Sequence, residues 1–199
     1  MDFKKLNTKE NAKRIRIISM ILSLIAIVVI GLSSIAPIIR AYIPGSMDPE
    51  FDWGVYPGQE FLGWQVTFVH WGTNIPIADR RAFTTNPLMV MAMVGTCLVL
   101  LITMLMMRRG KRLKKGILEL VAAAFLIFTA IVYFSACPII LTTAGNLTLD
   151  ALTAANNLGN YHLCWYAIFV GVVSLVIAIA KLVSAAFFIG FRKTDDIKK

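Results

Sequence analysis

What this chain has little of narrows its class first. Only 16% of its residues are charged, and none falls near the centre of a long apolar run. A soluble domain carries about 25% charged residues, so the deficit excludes an ordinary soluble fold. Acidic residues are especially few, 11 Asp+Glu against 20 Lys+Arg. The one stretch with carboxylates at alternate positions, Asp48-Pro-Glu-Phe-Asp-Trp-Gly54, fails the calcium-loop template. Its sixth place is Trp53 and its twelfth is Gln59, so it reads as a solvated turn. His70 and His162 have no metal-ligand spacing, and no GxSxG elbow or phosphate-binding glycine loop occurs. The expectation is a protein that is not an enzyme and holds no metal or cofactor.

What is abundant is apolar: 58% of the 199 residues. A membrane-spanning helix needs about 20 apolar residues, and four runs reach that length, at 15–39, 87–107, 117–140 and 161–188. The predicted fold class is an α-helical membrane protein, a four-helix bundle with a small antiparallel sheet in its first extracellular loop. Between the spans lie loops 40–86, 108–116 and 141–160, and the tails are 1–14 and 189–199. Pro37 and the length of the first run favour an uncleaved signal-anchor over a signal peptide. Arg16, Arg40, Glu119 and Lys181 fall towards span ends, where a long side chain reaches the interface by snorkelling. The span interiors hold Ser23, Thr96, Thr103, Thr129 and Ser174 but no ionisable group. That counts against an autonomous proton- or cation-coupled carrier.

The basic residues set the topology. Seventeen of the 20 lie in three segments on one side of four spans: the amino terminus, the stretch Arg108, Arg109, Lys111, Arg112, Lys114 and Lys115, and the carboxy-terminal end. The positive-inside rule places both termini in the cytoplasm of a multi-pass plasma-membrane protein. The basic loop is then expected to contact anionic lipid of the bilayer, and nucleic acid is not expected as a partner. Small-xxx-small spacings, Ala92/Thr96 and Ser174/Ala178, suit close helix packing. The methionines of the second span lie all round it and suit adaptable packing.

Outside the bilayer, residues 148–159 carry a possible N-cap, leucines on one face and a glycine stop, which predicts a short surface helix. Cys137 and Cys164 fall at the outer ends of the third and fourth spans and are a candidate disulfide, geometry permitting. Ser34–Ile39 and Ser135–Ile140 match at four of six positions, which fits a duplicated hairpin or common helix-exit residues. The stretch FLGWQVTFVHWG, residues 61–72, alternates with period two between glycines, so it predicts a β-strand as the centre of the loop sheet. Trp53, Trp64, Phe68, His70 and Trp71 form the candidate partner surface.

Four spans with Gly63-Trp64-Gln65 and Phe68 late in a long first outer loop make the chain resemble small tetraspan membrane proteins of Gram-positive bacteria. The layout is also similar to that of claudin-type tetraspans. Here, though, the element is ordered Leu62-Gly63-Trp64, and no cysteine lies between Ala41 and Asn86, so that likeness is one of architecture. Neither resemblance implies a catalytic residue. The expected role is an interaction or accessory protein that self-associates or binds another membrane protein through its first outer loop. The alternative is a subunit of a transporter or channel.

Overall fold

The structure, a computed structural model, describes residues 9–41, 60–68, 86–108, 111–143 and 161–190. Four of its helices are long and apolar enough to cross a membrane. They are α1 (Lys9–Leu32), α3 (Pro87–Met106), α4 (Arg112–Phe134) and α6 (Trp165–Gly190). Shorter elements lie between them: β1 (Pro37–Ala41), β2 (Glu60–Leu62), α2 (Gly63–Thr67), α5 (Ala136–Thr143) and β3 (Tyr161–Leu163). The chain is therefore a multi-pass membrane protein with a small antiparallel sheet, as expected.

In the bundle α1 packs beside α3 and α6, and α4 packs beside α3 and, most extensively, α6. So α1 and α4 face each other diagonally. Both start at the end that carries the Arg108–Lys115 connection, the basic end, and run parallel to the sheet end. The small residues expected at helix contacts are inside: Ala92, Thr96, Ser174 and Ala178 are all buried. The methionines of the second span split, with Met89, Met93 and, just past α3, Met107 buried and Met91 and Met106 exposed. Within α3, Met91–Gly95 widens to a π-helical turn, the kind of bulge that leaves carbonyls free for side chains. The Thr129 hydroxyl of α4 lies 3.2 Å from the Ala92 carbonyl and 2.7 Å from the Thr96 hydroxyl.

Two expectations are corrected here. The first apolar run is helix only to Leu32, and its tail Pro37–Ala41 is the central strand of the sheet, order β2-β1-β3. The backbone tightens through Ser33, Ser34 and Ile35, whose amides bond three residues back. Pro37 then bars continuation, because it lacks a donor and disfavours helix at the residue before it. β-Branched Ile38 and Ile39 extend instead, both buried.

The second correction concerns the predicted strand over 61–72. Its described part is β2, ending at Leu62, followed by helix α2 over Gly63–Thr67. The period-two pattern lost to a local cap: Gln65 Oε1 accepts the Leu62 amide at 2.8 Å and starts the turn. The sheet thus draws one strand from the expected first span, one from the loop and one from the expected fourth span. The matched hexapeptides also part ways, since 34–39 becomes turn and strand while 135–140 becomes turn and helix α5. The short helix expected over 148–159 lies outside the described residues.

Candidate functional site

At the sheet end, each residue of the Gly-Trp-Gln-x-x-Phe element, Gly63 to Phe68, has a physical task. Gly63 donates its amide to Ala36 O at 3.0 Å and lies so close to the first span that a Cβ would overlap the Ser33 carbonyl. Only glycine fits there. The Trp64 amide donates to Ser34 O at 2.8 Å, Gln65 caps, and the Phe68 amide closes on Trp64 O at 2.9 Å. Val66 and Thr67 face inward and are buried. One turn apart, the Trp64 and Phe68 rings share the outer face, 42% and 44% exposed. Trp53, His70 and Trp71, the other members of the candidate surface, lie outside the described residues.

Neighbouring elements hold this cap. Asn86 donates its amide to Thr67 O at 3.2 Å and accepts from Leu88 and Met89 amides, which starts α3. Its side-chain NH2 reaches Ile139 O of α5 at 3.3 Å. On the sheet, Arg40 pairs with Glu60 across the strands, and that carboxylate raises the Arg40 pKa further. Trp165, Tyr166 and Phe169 cluster at the start of α6, with centroids 5.3–6.1 Å apart. The Tyr166 hydroxyl donates to Val29 O of α1 at 3.1 Å.

The candidate disulfide is corrected: Cys137 and Cys164 are separate thiols, both buried. Burial pushes Cys137 up to about 11, with Cys164 adding to it. Burial likewise raises Cys164, helped by Glu60 and opposed by Arg40. Thiols kept protonated at neutral pH are slow to oxidise. Of the candidate lipid contacts, Arg108, Lys111 and Lys114 are exposed, and Arg112 and Lys115 are half-buried. Arg109 lies outside the described residues.

The residues that sequence reasoning missed lie inside the bundle. Glu119 and Lys181 do not snorkel; they are 1% and 3% exposed and form an ion pair at 3.1 Å. The Lys181 ammonium sends its three protons to Ser19 O at 2.9 Å, Ser19 Oγ at 2.6 Å and Ser23 Oγ at 2.6 Å. Ser19 in turn donates to Glu119 Oε1. Glu119 Oε2 faces the ammonium but receives no hydrogen bond. At 1.5 Å per residue, Glu119 sits about 10 Å into α4 and about 6 Å beyond Lys115. The lock joins α1, α4 and α6, and no space for a water molecule remains beside it.

A second bridge spans the same diagonal at the other end, where Tyr133 of α4 meets the Ser33 hydroxyl, which lies 2.5 Å from Ile30 O. The two bridges are 14 residues apart on both helices, two heptads, so one face of α1 follows one face of α4. One signal in the sequence marks these faces. Glu119 has Gly116, Ala122 and Ala123 at its i±3 and i+4 places, and Lys181 has Ser184, Ala185 and Ala178. A charge on a small-residue face points at another helix rather than at lipid.

No family model, curated protein or solved structure matches this chain.

Proposed function

We propose that this protein is a non-enzymatic accessory or interaction subunit of a bacterial plasma membrane, with both termini cytoplasmic, which binds a partner membrane protein or a second copy through its sheet-end cap. The observation that carries this reading is the rigid display of Trp64 and Phe68. Trp64 on α2 and Phe68 at its C-terminal cap stay half-exposed, while Gly63, Val66 and Thr67 of the same turn are buried. Paired aromatics on an anchored scaffold are what interface cores use, because little ordering entropy is lost on contact. The likeness to small, uncharacterised Gram-positive tetraspans supports the bacterial plasma membrane as its location. Purified in mild detergent, the wild type should run as a stoichiometric homo-oligomer or complex, and W64A/F68A should run as a folded monomer. A strictly monomeric, partnerless wild type overturns it.

A second reading, a subunit of a transporter or channel, is favoured by one observation, the buried Glu119–Lys181 pair. Intramembrane ion pairs often mark solute or proton pathways. Reconstituted liposomes should then show a flux that E119Q abolishes, and absence of flux across protons, alkali cations and halides removes this reading.

A further inference from the structure

One turn from the lock towards the basic end, three helices each present a polar side chain. On α1 it is Arg16, three residues before Ser19, whose Nε is buried with no hydrogen-bond partner. On α6 it is Ser184, three residues after Lys181, 5% exposed with an unpartnered hydroxyl. On α4 it is Lys115, four residues before Glu119 and half-buried. Gly116 fixes their level, since a Cβ there would lie 2.5 Å from Ile189 Cγ1 and 3.3 Å from Ala185 O. That sets the Lys115–Gly116 turn beside Ser184–Ala185. The acid on these faces, Glu119, is already engaged by Ser19 and Lys181. Of the four buried side-chain atoms without a hydrogen-bond partner among the described residues, Glu119 Oε2, Arg16 Nε and Ser184 Oγ gather at this end. The fourth, Thr67 Oγ1, is at the sheet end.

A guanidinium N–H, an ammonium and a hydroxyl all offer protons, and two of them carry positive charge. Their complement is an anion with several acceptor oxygens in a tetrahedral array, which is a phosphate. Lys115 is three residues from the start of α4, so the mouth sits where phospholipid headgroups lie. We propose that Arg16, Lys115 and Ser184 form a phosphate site at the basic mouth of the bundle, filled by the headgroup of an anionic phospholipid. One phosphate there accepts from α1, α4 and α6, the same three helices that the lock joins. The site is distinct from the sheet-end cap and stands or falls independently of it.

The test uses the full chain, delipidated in mild detergent and titrated with phosphatidylglycerol, phosphatidylcholine or inorganic phosphate while Tm is followed. Phosphatidylglycerol should raise Tm saturably. R16K keeps the charge and loses Nε, and S184A loses the hydroxyl; each should raise the half-saturating lipid concentration about tenfold, whereas K114Q, which removes an exposed neighbouring charge, should change it less than about twofold. If R16K fails to fold, S184A alone decides, because it deletes only an atom without a partner. No saturable shift overturns the proposal, as does a shift that K114Q weakens as much as R16K and S184A do. An equal, R16K-sensitive shift with inorganic phosphate overturns the lipid as occupant and leaves a site for soluble phosphate.

Discussion

At the sheet end, α1 is tied by neutral groups: Tyr133 to Ser33, Tyr166 to Val29, and the backbone of α2 to Ser34 and Ala36. At the basic end the same helix is tied by charge, through an ammonium and a carboxylate that share its serines. Both ends cross the same diagonal of the bundle, yet they should fail differently. A neutral hydrogen bond lost in apolar surroundings removes about its own net worth, roughly 1 kcal/mol. A buried ion pair cut on one side leaves a charge with no water and no partner, which is several times worse.

The largest effect should come from cutting the lock. K181M strands the Glu119 carboxylate and should cost about 3–5 kcal/mol, while the double variant E119Q/K181M should recover much of it. Unfolding in detergent and a double-mutant cycle measure both, and additive losses would mean the pair is not coupled. G63A comes next. Its methyl must displace the Ser33 carbonyl, so about 2–3 kcal/mol of local stability should vanish. Hydrogen exchange should quicken at the Gly63 and Trp64 amides and leave mid-α4 amides unchanged; uniform quickening would erase the contrast between the ends. Y133F should lose about 1 kcal/mol, a fraction of the K181M effect. Equal losses would break the comparison outright. W64A/F68A should shift stability by no more than about 0.5 kcal/mol, since both rings are half-exposed, and act on association alone. The smallest effect is chemical. Because burial raises both thiols, alkylation of Cys137 and Cys164 in the folded protein should be slow at pH 7, and that of Cys137 should accelerate as pH approaches about 11.

Four helices, their approximate ends and the small-residue contacts were legible because length and hydropathy along the chain are one-dimensional properties. The sheet was legible as an expectation but not in its parts. β1 hides in an apolar run that only Pro37 interrupts, and α2 hides in an alternating stretch that only the Gln65 cap turns into helix. Glu119 and Lys181 were misplaced for another reason. Their depth along the helix was read and their face was not, so two residues near span ends were sent to the interface when Gly116, Ala122, Ser184 and Ala185 pointed them inward. The pairing with Ser19 links positions a hundred residues apart, which no local pattern reveals.

The lock also has an order in time. Glu119 is synthesised about sixty residues before Lys181, and at 5–20 residues per second that interval is several seconds. Throughout it, the nascent third span must hold its carboxyl group in or near the bilayer without the cation that neutralises it. The newborn chain is therefore least settled just before its last helix arrives. A chain that stops short of α6 keeps that defect permanently.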